Sequence, residues 1–238
     1  MTIEQQSLEQ EPSSTKLALS LAFAGLISGI IIISIFEATL PTITANKARE
    51  LREAVFKVLP NVTSMQKLQF DNGKLRVRTE KGADEDTIYG GYGSQGQFIG
   101  YAVEGAGPGF QDTIRVLYGY LPEQRKIVGM EILESRETPG LGDKIFKDMA
   151  FVANFDDLSV DPKIKAVKKG TKSAPYEIDS ITGATISAKA VVRIINEARV
   201  RWEDRLPAPG NEPKLELVSK KAADEGKGDT PPTPAPGN

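Results

Sequence analysis

The chain has 238 residues, of which 39% are hydrophobic and 26% are charged, so its length fits one packed domain with appendages. Thirty basic and 32 acidic residues leave a net charge of −2, which disfavours nucleic acid as a partner. The absence of Cys and His excludes disulfides, thiolate iron–sulfur sites, Cys/His zinc sites, imidazole-ligated haem and Ser-His-Asp triads. Any chemistry must come from carboxylates, hydroxyls, lysines or a bound cofactor.

The N-terminal region contains a membrane-spanning pattern. Residues 17–36 run for 20 residues without a charge, and a helix of that length spans roughly the 30 Å hydrocarbon core of a bilayer. We therefore predict a transmembrane helix over residues 16–37, preceded by a disordered polar segment over residues 1–15. Gly25 and Gly29 have the GxxxG spacing that lets a second helix approach closely, with chance as an equal alternative.

A cleaved signal peptide is the alternative to a permanent anchor. The apolar region of such a peptide is usually about 7–15 residues long and follows a basic start. Here acidic residues precede the single Lys16, which disfavours cleavage. Lys47, Arg49 and Arg52 mildly favour a cytoplasmic C-terminal domain, but long domains translocate regardless of such counts. Charge alone leaves the orientation open.

Residues 42–206 carry the patterns of one α+β domain. Leu51, Val55 and Leu59 are spaced as on one helix face, which predicts a helix over 46–59 that ends at Pro60. Strands are predicted at 67–70, 75–78, 97–104, 113–121 and 126–133, the first two joined by an Asn-Gly turn. Helical patterns cover 143–155 and 186–204. The order helix, strands, helix, loop or short strand, helix predicts an α+β fold rather than βαβ units.

The C-terminal segment differs in composition from the rest of the chain. Residues 207–238 hold seven of the fifteen prolines and almost no aromatic residues. We predict that this Pro-rich tail is disordered.

A glycine pattern at residues 91–96 resembles a nucleotide-binding fingerprint. Gly91, Gly93 and Gly96 match GxGxxG in GYGSQG. That fingerprint needs a helix directly after it, whereas residues 98–103 continue as a strand. The pattern therefore predicts a hairpin loop.

The first candidate site is the segment ETPGLGD at residues 137–143. Pro139 fixes one dihedral angle, and Gly140 and Gly142 permit positive φ, so the segment forms a rigid turn that can lie close to a flat ligand. A purely structural turn is the alternative. The nearby carboxylates could form an acid–base pair or a hard-cation site, or simply a solvated edge; they are Glu131, Glu134, Glu137 and Asp143.

The second candidate site lies immediately before the last helix. Thr182, Thr185 and Ser187 concentrate hydroxyls at a predicted helix N-terminus, with Gly183 and Ala184 between them. Free backbone N–H groups and the helix dipole favour an anion such as phosphate there, and Lys189 could add positive charge. A plain N-cap is the alternative.

The two motifs together resemble a known family. ETPGLGD at 137–143 with TGATIS at 182–187 is similar to the motif pair in FMN-binding domains of the G subunit of Rnf electron-transport complexes and of the related C subunit of sodium-pumping NADH:quinone reductases. GPGFQDTIRVLYGY at 107–120, IVGMEILESRETPG at 127–140 and the N-terminal span also resemble that family. The resemblance covers about residues 16–204 and implies an FMN-binding domain over 42–206.

The resemblance implies a covalent cofactor. In that family a flavin transferase takes FMN from FAD with Mg²⁺ and attaches it by a phosphoester to the last hydroxyl of [ST]GATx[ST], which is Ser187 here, where most members carry Thr. It implies that the phosphate end is lined by Thr182, Gly183, Ala184 and Thr185. It also implies that the isoalloxazine ring has as neighbours Glu137, Thr138, Gly140 and Leu141.

The function expected from this resemblance is electron relay. The chain would be a membrane-anchored, covalently flavinylated phosphoprotein in an ion-translocating complex of Rnf type, rather than a stand-alone enzyme. Its C-terminal domain would be periplasmic or extracytoplasmic at the inner membrane, and residues 1–15 cytoplasmic. Its partners would be other membrane subunits, the flavin transferase and membrane lipid. We assign no catalytic side chain and no metal.

Two other functions stay open at this point. One is a scaffold or assembly subunit with the same fold and no flavin, motivated by Ser at 187 and by the acidic and Pro-rich ends. The other is a carboxylate-based envelope hydrolase that uses Glu134 and Glu137.

Overall fold

The computed structural model describes residues 13–78 and 86–216, and the chain divides into two compact units, up to Glu50 and from Leu51 onward. Of the predicted disordered segments, residues 1–12 and 217–238 lie outside the described residues. The fold of the second unit is the α+β arrangement expected from the sequence.

The described part of the first unit is helical and has exposed apolar side chains. Helix α1 runs from Ser14 to Val58, and its most apolar 18-residue stretch has a mean hydropathy of 2.5 with no part of it buried. Leu19 and Ile32 are 71% and 66% exposed. Such a surface is unfavourable in water and matches the length and composition of a membrane span.

The helices predicted over residues 16–37 and 46–59 are parts of one continuous helix. Pro41 lies inside α1 without ending it. The hydroxyls of Thr39 and Thr44 donate to the carbonyl oxygens of Ile35 and Leu40, both at 2.9 Å. Because no glycine or turn-forming residue accompanies Pro41, nothing in this stretch favours a chain reversal over a continued helix.

The second unit is built on a seven-stranded antiparallel sheet. Its strand order is β2-β1-β3-β4-β5-β6-β7. The strands are β1 Ser64–Asp71, β2 Lys74–Val77, β3 Thr87–Tyr92, β4 Phe98–Pro108, β5 Thr113–Leu121, β6 Lys126–Glu134 and β7 Leu158–Ser159. A separate pair of short parallel strands is formed by β8 Lys165–Val167 and β9 Glu177–Asp179.

Strand β3 was not predicted, because Gly90 and Gly91 are poor strand formers. Gly91 makes room for the chain that follows α1, whereas Gly90 makes room for the side chains of Leu68 and Tyr92. A Cβ on Gly91 would lie 2.7 Å from Val62 Cγ2 and 2.8 Å from Leu59 Cδ1. The GxGxxG segment continues from β3 through a tight loop into β4, with Gly93 N–H donating to Gln97 O at 2.9 Å, so the hairpin-loop prediction is confirmed.

The helical pattern over 143–155 forms three short pieces. Helix α2 covers Lys144–Lys147, α3 covers Met149–Val152, and a 3₁₀ turn covers Ala153–Phe155. Asp148 separates the two helices because its backbone is extended and its carboxylate caps α3, accepting from Ala150 N at 3.0 Å. The long helix α4, Thr185–Glu203, matches the predicted 186–204 within one residue at each end.

Two apolar clusters cover the sheet. α4 packs on one face, where Gly105 of β4 allows Ile194 and Ala198 to approach closely. The last turns of α1 pack through Val55 and Val58 in a second cluster that includes Leu117. α4 therefore has a fixed position, and its N-terminus is held beside the β4–β5 turn and the loop after β6.

Residues 207–216, which the sequence assigns to the Pro-rich tail, are hydrogen-bonded to the sheet. The Tyr92 hydroxyl donates to Pro213 O at 2.6 Å. Gln66 Nε2 donates to Lys214 O at 2.9 Å, and its Oε1 accepts from Glu216 N at 3.0 Å. This segment forms a strap across β1 and β3.

Candidate functional site

The two motifs singled out in the sequence meet through one hydrogen bond. Ser187, in the first turn of α4, donates its hydroxyl proton to Oε2 of Glu137, in the loop after β6. The two residues are 50 positions apart in the chain. Both are buried, with Ser187 2% and Glu137 5% exposed. The contact therefore lies at the inner end of the site, shielded from bulk water.

The β4–β5 turn holds the other carboxylate oxygen of Glu137. Oε1 accepts hydrogen bonds from the backbone N–H groups of Phe110 and Gln111, both at 2.9 Å. Burial alone would raise the pKa of Glu137. The hydrogen bonds from the Ser187 hydroxyl and from backbone N–H groups, that of Asp112 included, outweigh that effect and hold the pKa below the usual glutamate range. Glu137 is thus an ionised carboxylate at neutral pH.

A cleft of about 320 Å³ opens next to this contact. Its lining residues are Phe110, Thr138, Leu141, Gly142, Gly183, Ala184, Thr185, Ile186 and Ser187. Apolar side chains form the rim, because Phe110, Leu141 and Ile186 are 64%, 51% and 59% exposed. The inner end is polar and the outer end apolar, which suits a ligand with one flat apolar part and one charged part.

The N-terminus of α4 forms the polar end of the cleft. Ala184 is the N-cap residue, and no side chain among the described residues caps this end of the helix. The Thr185 hydroxyl donates back to Ile181 O at 3.2 Å instead of capping the first turn. Gly183 has a φ of +83°, and Lys144 Nζ is 4.0 Å from the position of a Cβ on this glycine. Positive charge and uncapped N–H groups together favour an anion here.

The structure brings most of the predicted site residues together. Six of them line the cleft: Thr138, Leu141, Gly183, Ala184, Thr185 and Ser187. Glu137 does not line the cleft but hydrogen-bonds to Ser187, which does. Gly140, with a φ of +78°, shapes the turn without lining the cleft, and Thr182 is exposed before the helix.

Three charged residues that the sequence placed near the candidate sites, Lys189, Glu131 and Glu134, lie elsewhere in the structure. Lys189 lines a separate, larger cleft of about 560 Å³ between α4 and β8, so Lys144 is the cation beside Gly183. Glu131 pairs with Lys57 at 2.6 Å, and Glu134 lies 3.4 Å from Arg115. Of the carboxylates at 131, 134 and 137, only that of Glu137 reaches the cleft residues.

Sequence reasoning did not assign Phe110 and Gln111 to the site, and it included Gly142 and Ile186 only as members of the two motif segments. Phe110 and Gln111 lie within GPGFQD, and a large apolar residue between glycine and polar residues could have indicated a ligand-facing turn. Gln111 accepts a hydrogen bond from the Thr138 hydroxyl at 2.8 Å, which ties the β4–β5 turn to the loop after β6. Nothing local to Ile186 distinguished it from a core position.

Comparisons with known proteins match the part of the chain that contains this cleft. The FMN-binding domain family matches residues 109–200, which include both motifs. The chain is 31% identical over 180 residues to the G subunit of the proton-translocating ferredoxin:NAD(+) oxidoreductase complex of Clostridium ljungdahlii, covering 75% of this chain and 86% of that protein. It is 28% identical over 188 residues to the G subunit of the ion-translocating oxidoreductase complex of Methanosarcina acetivorans, covering 77% of this chain and 92% of that protein.

A solved structure shares the fold. The crystal structure of NqrC from Shewanella oneidensis superposes with a TM-score of 0.52 at 21% identity. The match covers 64% of this chain and 91% of that one.

Proposed function

This chain belongs to the family of G subunits of the ion-translocating oxidoreductase complexes, and we propose that it carries electrons there on an FMN bound covalently to Ser187. The family, the FMN-binding domain and the N-terminal apolar helix make it a membrane flavoprotein of an electron-transport complex. Covalent attachment, ion translocation and the residues of the site are the proposal.

The observation that carries the proposal is the placement of the Ser187 hydroxyl. It lies at the uncapped start of a 19-residue helix and lines a cleft with an apolar rim. The cleft volume of about 320 Å³ is at the lower end of the range for small-molecule sites. A phosphoester on Ser187 would set the phosphate against the first N–H groups of α4, and the flat ring system fits the apolar rim.

The residues of the cleft have separable roles in this proposal. FMN, when bound, supplies the redox chemistry by accepting and donating electrons. Ser187 anchors it, and the α4 N-terminus with Lys144 stabilises the phosphate charge. Leu141, Phe110 and Ile186 offer apolar contact and exclude water. No side chain acts as acid, base or nucleophile during electron relay.

We further propose an orientation and a set of partners. The C-terminal domain is extracytoplasmic and residues 1–15 are cytoplasmic, since a covalent bond prevents loss of flavin to the bulk outside the cell. The apolar surface of α1 contacts lipid and other membrane subunits of an Rnf-type complex. A flavin transferase performs the single maturation step.

In-gel fluorescence after denaturing electrophoresis tests the attachment. The full chain is co-expressed with a flavin transferase, alongside Ser187→Ala and the control Ser180→Ala. Ser180 is buried and lies outside the cleft lining. We expect a fluorescent band for wild type and Ser180→Ala and none for Ser187→Ala. A band that persists in Ser187→Ala rejects the attachment site, and wild type with the mass of the bare chain favours a scaffold function.

A further inference from the structure

We propose that Glu137 is the general base that accepts the proton of Ser187 when FMN is attached, so that the chain supplies a catalytic group for its own modification. The inference rests on the proposed function and assigns a role in maturation that electron relay does not need. It concerns the chain before FMN is attached.

The geometry of Glu137 favours this role. One carboxylate oxygen is occupied by two backbone N–H groups, so the carboxylate has a fixed orientation. The other oxygen, Oε2, accepts the hydrogen bond of the Ser187 hydroxyl. A general base must lie within hydrogen-bond reach of the proton that it takes, and this one already does.

The charged side chains near Glu137 on the described residues do not hydrogen-bond to its carboxylate. Its hydrogen bonds come from Ser187 and from backbone groups, not from a charged side chain. The charged residues on the neighbouring elements are Asp112 on the β4–β5 turn, Arg136, Asp143 and Lys144 around the loop after β6, and Lys189 and Arg193 on α4. Asp143 is engaged by Lys147 at 2.6 Å, and Arg193 by Pro108 O.

The step balances without any oxidation or reduction. Ser187 Oγ attacks the flavin-side phosphorus of FAD, which the flavin transferase presents with Mg²⁺. The Oγ–P bond forms, the P–O bond to AMP breaks, and AMP leaves. The hydroxyl proton moves to Oε2 of Glu137. Because the proton becomes strongly acidic as the Oγ–P bond forms, a carboxylate with a lowered pKa can accept it late in the step.

Initial rates of attachment test the proposal. The purified full chain in detergent is incubated with flavin transferase, FAD and Mg²⁺ between pH 6 and 9, and labelling is followed by intact mass. The variants are Glu137→Gln, Glu137→Asp and the matched control Glu134→Gln, whose carboxylate bonds Arg115 instead of Ser187. Folding of each variant is checked by thermal unfolding.

We expect Glu137→Gln to slow labelling by about 10²- to 10⁴-fold, the usual contribution of a general base. Its rate should rise with pH, because hydroxide replaces the missing carboxylate, whereas wild type and Glu134→Gln should show a flat profile. Glu137→Asp should be slower than wild type, since its carboxylate stops one methylene short of Ser187, and should keep the flat profile.

Two results would overturn the inference while leaving the proposed function intact. One is labelling of Glu137→Gln within threefold of wild type with the same pH profile. The other, decisive if Glu137→Gln does not fold, is a Glu137→Asp rate equal to that of wild type. Failure of the proposed function looks different, because wild type itself then stays unlabelled at Ser187.

Discussion

Gly142 lies directly against the carboxylate of Glu137. A Cβ on residue 142 would be 2.6 Å from Glu137 Oε2 and 3.0 Å from Ser187 Oγ. Cβ atoms do not approach other atoms this closely, so any side chain at 142 must displace the carboxylate or the hydroxyl. The contact between the two motifs depends on the absence of a side chain at this position.

Gly142→Ala should therefore weaken both stability and flavin attachment. We expect a loss of about 1–3 kcal/mol in the free energy of unfolding from overpacking, measured by urea denaturation in detergent. The comparison is Gly140→Ala, which has no atom within 4 Å of its added Cβ but a φ of +78°. That variant should lose about 1 kcal/mol through backbone strain and keep its attachment rate. Equal attachment rates in the two variants would contradict this account.

The lowered pKa of Glu137 gives stability a dependence on pH. A carboxyl whose folded pKa is below its unfolded value stabilises the fold above the unfolded pKa, and that contribution is lost as pH falls through the folded pKa. Unfolding of wild type and Glu137→Gln should thus differ most above about pH 5 and converge below about pH 4, near and under the ordinary glutamate pKa. A difference in unfolding free energy that stays constant from pH 7 to pH 3 would contradict the assignment.

Local sequence patterns were sufficient to predict the elements that have a turn motif or a helical spacing of apolar residues. The β1–β2 hairpin was predictable because Asn72 and Gly73 both adopt positive φ, as a two-residue hairpin turn requires. Helix α4 was predictable within one residue at each end because its buried positions recur at helical spacing.

The elements that sequence reasoning missed are fixed by distant contacts. Gly91 lies in a strand although glycine is a poor strand former, and the chain after α1 packs against it. The Glu137–Ser187 hydrogen bond joins residues with no local pattern in common. The strap at 207–216 has the composition of a disordered tail, and its order comes from side chains on β1 and β3. The motif pair was predictable as a pair, but the contact between its hydroxyl and carboxyl groups was not.

The last turn of α1 is held in a groove that glycine creates in the sheet. A Cβ on Gly119 would overlap the carbonyl oxygen of Val58, and a Cβ on Gly129 would lie 2.8 Å from Val58 Cα. Gly119→Ala should lower the free energy of unfolding by about 1–3 kcal/mol, because the backbone of Val58 cannot shift without disturbing the helix. Gly107→Ala should lower it less, since its Cβ would meet side-chain atoms of Ile194, at 2.9 Å, and no backbone atom. Chemical denaturation of both variants measures the difference, and a larger loss for Gly107→Ala would refute it.

The strap depends on the Tyr92 hydroxyl, which accepts from Gln66 Nε2 at 2.5 Å and donates to Pro213 O at 2.6 Å. Burial raises the pKa of Tyr92 to about 12, so the donor persists throughout the neutral range. Tyr92→Phe should lower the free energy of unfolding by about 0.5–1.5 kcal/mol and speed proteolysis between residues 207 and 216.

Tyr101→Phe is the matched control for the strap, since its buried hydroxyl has no hydrogen-bond partner among the described residues. Removing an unpartnered buried hydroxyl should be neutral or stabilising. Limited proteolysis followed by mass spectrometry separates the two variants, because only loss of the Tyr92 hydroxyl releases the strap. Equal cleavage rates between residues 207 and 216 in Tyr92→Phe and Tyr101→Phe would show that other contacts hold the segment.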